Sequence, residues 1–255
     1  MLYLIGLGLA KGDMPYRAKE VLKRAELFAE SYTSFIGDEY IEEIEKEAGK
    51  EIKRLERSDL EEKASEIVGK ARDRDIAVLT GGDPLIATTH KILFIEAKKR
   101  GVRTEVMHAG SIITAAIGES GLDFYRFGQV ITIPEWSEKY KPLSFYEVID
   151  RNLSNGQHSL LLLDYSGVKG SSMSIRAALE EIEAAEAHYR KGIISRGTSI
   201  IVMKDVSHGN AERLYCSLEE AKEKDLGPGP ALIIIPSKIS DVEKEVMDSM
   251  YPRRV

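Results

Sequence analysis

Leu79-Thr80-Gly81-Gly82-Asp83-Pro84-Leu85-Ile86-Ala87-Thr88-Thr89-His90 is the stretch whose reading decides the fold of this chain. The apolar run Ile76-Ala77-Val78-Leu79 leading into it reads as a buried strand, and residues 92–99 after it read as a helix. Two glycines, an acid and a proline therefore fall where a strand gives way to a helix. In open α/β sheets that edge is where ligands bind. Glycines there adopt backbone angles closed to other residues and let a ligand approach the main chain, while Pro84 fixes the turn. Taken by itself the stretch fits an ordinary strand-to-helix loop somewhat better than a site. The rest of the chain shifts that balance.

Outward from it, the first half alternates strand and helix signals. Leu2-Tyr3-Leu4-Ile5 reads as a buried strand ending in Gly6-Leu7-Gly8-Leu9. Asp13 is placed to cap a helix with Pro15 in its first turn. Ala18, Val21, Leu22, Ala25 and Phe28 follow at helical spacing. Residues 37–48 read as a short acidic helix, Ser58 with Glu61 as the capping box of a helix running through Arg72, and residues 102–107 as a strand. This β-α repeat predicts a largely parallel sheet with helices on both faces. His108-Ala109-Gly110-Ser111 reads as a hinge, giving an N-terminal α/β domain over residues 1–109 and a C-terminal α/β domain over residues 110–255. In the second half, residues 128–133, 159–163, 198–203 and 231–235 read as strands, with a shorter one at 213–216. Helices are expected over 112–119, 144–152, 172–189 and from Asp241. The polar loop 134–142 carries the single tryptophan, Trp136.

Composition narrows the class. With 255 residues and 43% apolar content the chain builds real cores. A net charge of −6 argues against a broad nucleic-acid footprint. The single cysteine, Cys216, excludes an internal disulfide framework and fits a reducing, cytoplasmic setting. No secretory leader is read at the start, and no apolar run approaches the roughly 20 residues of a membrane helix.

Rival motifs fail on their spacing. Gly6-Leu7-Gly8 invites a dinucleotide fingerprint, but the third glycine position falls on Lys11 and only Glu30 offers itself, loosely, as the acid. There is no triphosphate-binding glycine loop and no serine nucleophile elbow. His90, His108, His158, His188 and His208 lack metal-ligand spacing, so no metal site is expected. His90 and His108 stand out because both flank strand ends at the expected crevice, and His90 is expected to orient the motif loop through hydrogen bonds before acting as a base. Tyr125-Arg126-Phe127 reads as loop packing before substrate contact.

Together the pieces resemble the methyltransferases of the tetrapyrrole methylase fold. Within that superfamily the chain is similar to the diphthine synthases. The likeness rests on residues 4–9, on Phe28-Ala29-Glu30-Ser31-Tyr32-Thr33-Ser34, and on Gly82-Asp83-Pro84 continued through Ala87-Thr88-Thr89-His90. It extends through His108-Ala109-Gly110-Ser111-Ile112, Gly121-Leu122 with Tyr125-Arg126-Phe127-Gly128, and Leu161-Leu162-Leu163-Asp164. The Glu-x-Tyr-Thr-Ser and Ala-Thr-Thr-His pieces are specific to diphthine synthases, whereas Gly-Asp-Pro is common to the superfamily.

The resemblance implies two α/β domains with a cofactor cleft between them. It implies S-adenosylmethionine as methyl donor, S-adenosylhomocysteine as product, and elongation factor 2 as protein substrate. The acceptor would be the amino group of its 3-amino-3-carboxypropyl histidine, trimethylated to diphthine. A cytoplasmic homodimer acting on neither membrane nor nucleic acid is the matching expectation. Carried over by motif position, the cofactor residues are Leu9, Asp83, Ile86, Ser111, Ile112, Leu163, Met203 and Ala231; no catalytic base is identified. Two departures stand out: Gly81 replaces the proline usual before Gly-Asp-Pro and is expected to loosen the loop, and Ala231 stands where the family places a histidine. The competing readings are a same-fold methyltransferase acting on a tetrapyrrole or ribosomal RNA, a non-catalytic cofactor-binding module, and a nicotinamide oxidoreductase.

Overall fold

In the computed structural model the described residues are 1–30, 32, 34–166, 171–224, 226–227 and 229–251. Of the stretches quoted above, Ser31, Thr33 and the side chain of Glu61 lie outside them. The chain divides into two compact units, Met1–Ile112 and Ile113–Ser166 with the residues from Ser171 onward.

The first unit runs β1 (Leu2–Gly6), α1 (Ala18–Arg24), β2 (Glu26–Glu30), α2 (Asp38–Ala48), β3 (Ile52–Leu55), α3 (Arg57–Glu61), α4 (Ala64–Lys70), β4 (Ile76–Thr80), α5 (Lys91–Lys99) and β5 (Thr104–Met107). Its sheet has the order β3-β2-β4-β1-β5, and every pairing is parallel. Because α1 and α2 pack against Tyr3, Ile5, Leu27 and Leu79 on one face, and α3, α4 and α5 against Leu2, Leu4, Phe28 and Val78 on the other, both faces are dry. Each fully buried Leu or Ile side chain is worth roughly 1.5–3 kcal/mol, and β1 is buried at all five positions. The expected parallel sheet with helices on both sides is what forms.

Three local readings are corrected. The first helix stops at Arg24, Ala25 is extended, and Phe28 lies in β2. A short apolar run such as Leu27-Phe28-Ala29 does not distinguish a buried strand from a helix, and the ladder positions between β3 and β4 decide it. Asp13 does not cap α1, whose first flanking residue is Arg17; its Oδ2 accepts from the Leu9 and Ala10 amides at 3.0 and 2.9 Å. The helix read from Ser58 through Arg72 is two helices broken near Lys63, and the capping box of the first is Glu56 with Asp59, whose Oδ2 accepts from the Glu56 amide at 3.0 Å.

The second unit runs α6 (Ile112–Glu119, its first residue in the first unit), β6 (Ile131–Ile133), α7 (Ser144–Ser154), β7 (Ser159–Leu163) and the small hairpin β8 (Tyr165–Ser166) and β9 (Ser171–Ser172). It continues with α8 (Ile175–Tyr189), β10 (Ser199–Lys204), β11 (Glu212–Ser217), α9 (Leu218–Glu223), β12 (Ala231–Ile235) and α10 (Asp241–Met250). Its sheet has the order β11-β10-β12-β7-β6, and only β6 with β7 is parallel. Helices α7, α8 and α9 cover the face carrying Leu161, Val202 and Ile233. Leu160, Ile201, Leu232 and Ile234, on the alternate positions, are buried as well.

Candidate functional site

In the first unit the two glycine loops meet where neighbouring strands part company. β1 and β4 are adjacent, but the chain leaves β1 for helices on one face and β4 for α5 on the other. Such a switch point opens a crevice at the carboxyl ends of the two strands. Its floor is a reciprocal backbone pair: the Gly8 amide donates to Gly82 O at 3.2 Å and the Gly82 amide to Gly8 O at 2.8 Å. Gly8 has φ +75°, and a methyl group on it would stand 2.1 Å from Asp13 Cβ, so the Gly-x-Gly turn admits no side chain there.

Asp83, only 6% exposed, has both oxygens engaged. Oδ1 accepts from the Leu85 amide at 3.0 Å, closing the turn, and Oδ2 lies 2.7 Å from His108 Nδ1. His108 directly follows β5, whose Met107 pairs with Ile5 of β1. Strand adjacency thus brings it to the Gly-Asp-Pro loop, a link the linear sequence hides. Proximity of β5 to β4 across β1 is the signal that finds it.

Thr88 and His90 hold this loop from within. Thr88 Oγ1 donates to Pro84 O at 2.9 Å, and His90 Nδ1 lies 2.9 Å from the same carbonyl. A carbonyl accepts only, so Nδ1 carries the hydrogen. His90 thereby orients the loop as expected. The two signature segments also touch each other: Glu30 Oε1 is 3.7 Å from His90 Nε2, Tyr32 OH is 3.2 Å from Thr89 Oγ1, and Ser34 Oγ donates to Gly81 O at 3.1 Å. Glu30 does end the second strand, but it is fully buried beside His90 and so is no ribose ligand. A methyl group at Gly81 would stand 2.7 Å from Phe35 O and 2.8 Å from Ser34 Oγ. Far from loosening the loop, glycine at this position admits the close approach of residues 34–36. Ala87 is held at φ +55° beside the motif, a local cost of about 1–2 kcal/mol, and such outliers gather at functional sites.

The expected cofactor residues of the first unit all come to this sheet edge: Leu9 after β1, Asp83 and Ile86 after β4, Ser111 and Ile112 after β5. Ser111 is buried, whereas Ile86 leaves 45% of its surface to solvent. Gly82 and Gly110 leave room for side-chain-free approach to the main chain. A methyl group at Gly110 would meet nothing within 4 Å, and one at Gly82 only Gly110 O at 3.8 Å.

In the second unit Leu163, Met203 and Ala231 gather at one edge of the sheet. Leu162 and Met203 both pair with Leu232, and Ala231 pairs with Lys204. Leu163 and Ala231 join the core under α7, α8 and α9, while Met203 occupies the alternate face. Their side chains therefore do not form one wall; what they share is the strand end and its main chain. Just beyond Met203, Asp205 and Ser207 take φ +51° and +71°.

Arg126 is structural. It ion-pairs with Glu243 and donates to Lys238 O at 2.6 Å, while Phe127 sits edge-on to His158 at 5.3 Å. Among the described residues no group of three or more His, Cys, Asp or Glu is placed to hold a metal ion. A cavity of about 400 Å³ lies at the amino ends of β2 and β4. Of its charged lining, Arg24 pairs with Asp75 at 2.8 Å, Arg74 with Glu26 at 3.4 Å, and Lys50 donates to the Lys23 and Ala25 carbonyls. It is at the wrong end of the strands for a ligand site in this architecture.

The profile of the family described as Tetrapyrrole (Corrin/Porphyrin) Methylases matches residues 1–222. The diphthine synthase of Methanothermobacter thermautotrophicus is 34% identical over 252 residues, covering 97% of this chain and 94% of the relative. That of Methanocaldococcus jannaschii is 35% identical over 251 residues, covering 97% of each. A crystal structure of diphthine synthase superposes with a TM-score of 0.87 at 30% identity, over 98% of this chain and 95% of the other.

Proposed function

The chain belongs to the tetrapyrrole methylases, in their diphthine synthase branch, and on that premise we propose that it trimethylates the amino group of 3-amino-3-carboxypropyl histidine on elongation factor 2. The observation that carries this reading is the near end-to-end likeness to diphthine synthases. Its motif segments also build the switch-point loop described above. S-adenosylmethionine is the proposed donor. When bound it supplies a sulfonium-activated methyl, and the amine lone pair forms the new C–N bond as the C–S pair returns to sulfur.

The residues present fit such a ligand. The side-chain-free main chain at Gly82 and Gly110, the half-exposed Ile86, and Leu9, Ser111 and Ile112 offer small and apolar surface with main-chain groups to fix polar edges. We assign donor binding to these with Asp83, whose carboxylate sets the shape of the loop, and to the strand-end main chain at Leu163, Met203 and Ala231. A backbone contact at Ala231 survives the loss of a histidine side chain. Much of the rate in this chemistry comes from holding the reacting atoms in line, and effective molarities of roughly 10⁵ M or more are attainable.

Among the described residues no helix is long and apolar enough to cross a membrane. A cytoplasmic homodimer completes the proposal. The test is mass spectrometry of elongation factor 2 bearing the aminocarboxypropyl histidine, after incubation with this protein and S-adenosylmethionine. The trimethylated residue is expected; an unmodified histidine adduct, with a tetrapyrrole or RNA methylated instead, overturns the reading.

A further inference from the structure

We propose that His108 is the base that removes the proton from the acceptor amine, with Asp83 positioning it. The inference rests on the methyltransferase reading above and deepens it.

The chemistry calls for such a group. An alkylammonium has no lone pair and cannot attack a methyl carbon. Each of the first two transfers leaves nitrogen protonated again, so trimethylation needs a proton removed before every transfer. In each removal an N–H bond of the ammonium breaks, its electron pair stays on nitrogen, and the proton joins an imidazole nitrogen. Solvent then takes it from the imidazolium.

The geometry at His108 supplies this base. Its Nδ1 is 2.7 Å from Asp83 Oδ2. An ionised carboxylate only accepts, so Nδ1 bears the hydrogen and Nε2 bears the lone pair. Asp83 is 6% exposed and anchored by the Leu85 amide, whereas the His108 side chain is 65% exposed. A buried carboxylate thus holds an accessible imidazole in one tautomer and leaves the lone pair of the other nitrogen facing outward, the arrangement general-base catalysis requires. Among the described residues Nε2 has no hydrogen-bond partner. The imidazole stands one residue beyond β5, at the same carboxyl edge of the sheet as the Gly82-Asp83-Pro84 loop.

Other charged groups nearby are committed elsewhere. Arg17 pairs with Glu105 at 3.6 Å and donates to Val106 O, on the strand leading to His108. Asp13, on the loop after β1, is turned to the Leu9 and Ala10 amides. His90, the other histidine of this edge, is fully buried beneath the loop and holds Pro84 O, so it is not accessible to a protein substrate.

Two measurements test the proposal. In the first, the His108 ring nitrogens are followed by NMR across pH in the wild-type protein and in Asp83→Ala, without donor or acceptor. The Nδ1–H tautomer is expected to dominate the neutral wild-type ring and to lose that bias in the variant; an unchanged tautomer ratio removes Asp83 as its partner and overturns the proposal. In the second, His108→Asn is assayed on modified elongation factor 2 across pH, with donor affinity measured by calorimetry. A fall of about a hundredfold at neutral pH, loss of the acidic limb of the rate profile, and donor affinity kept within a few-fold are expected. His108→Ala should regain rate with added imidazole. An unchanged rate and acidic limb overturn the proposal, as does a rate loss matched by loss of donor binding. Wild-type protein inert on this acceptor overturns the methyltransferase reading itself, while the NMR titration still reports on the Asp83–His108 pair.

Discussion

Glu181 and Asp83 are both buried carboxyls, but only Asp83 has partners for both oxygens. Glu181 lies on the buried face of α8, where Oε1 accepts from the Trp136 amide at 3.0 Å and Oε2 has no hydrogen-bond partner among the described residues. Burial pushes its pKa up to about 7, against the pull of the Trp136 amide and with help from Glu135 and Asp164. A carboxyl raised on folding favours the folded state below its ordinary value near 4.5, and that advantage is lost as pH rises toward 7. Glu181→Gln keeps the acceptor for Trp136 and removes the charge. It is expected to raise stability at pH 8 by about 1–3 kcal/mol and to change little at pH 4, as thermal unfolding at the two pH values will read. At this scale Asp83 was visible in the sequence as the acid of a turn. Its grip on His108 was not, because strands far apart in the chain bring the two together.

At the scale of elements, the readings that held are those with one periodicity. The strands β1 and β4 and the helices α5 and α8 carry enough consistent pattern to announce themselves. The sequence missed β2 and β3, and for different reasons. β2 is a short apolar run butted directly against a helix, while β3 shows buried ends around exposed Lys53 and Arg54 and so offers little hydrophobic signal. Likewise the apolar runs of the second half marked strands without giving their direction. Runs buried on both faces are the habit of parallel sheets, yet here three of four pairings are antiparallel. Loop-to-strand contact also explains Gly81. Gly81→Ala is expected to cost about 1–3 kcal/mol by overpacking against Phe35 and Ser34. It should also weaken binding of S-adenosylmethionine several-fold, measured by thermal unfolding and calorimetry.

At the scale of the whole molecule, the two units each carry their own core and their own points of failure. In the second unit Glu243 gathers the Asp123 amide at 3.0 Å, His158 Nε2 at 2.9 Å and the Ser240 amide and hydroxyl at 2.8 Å, together with Arg126. Burial alone would raise its pKa, but these donors outweigh it and hold the carboxyl near 2. Burial keeps the pKa of His158 low, and as a neutral ring it donates to Glu243 and accepts from the Ser237 amide at 2.9 Å. A carboxyl lowered on folding contributes stability above its ordinary 4.5 that drains away as pH falls through 2, on the order of 3 kcal/mol. The only tryptophan, Trp136, reports on this same unit. Acid titration from pH 5 to 2 should therefore change Trp136 fluorescence before far-UV dichroism, which sums both units, has fallen by half.

The sequence by itself determined the α/β class, the strand-to-helix position of Gly82-Asp83-Pro84 and the methyltransferase family, because local periodicity and turn chemistry are properties of neighbouring residues. Tertiary structure alone decided that Gly8 and Gly82 close on each other and that Glu30, Tyr32 and Ser34 brace the loop from beneath. It also decided that Met203 faces away from Leu163 and Ala231, and that Asp83 holds His108. Each of these depends on which strands lie side by side and in what register. Long-range pairing sets that order, and no window of consecutive residues records it.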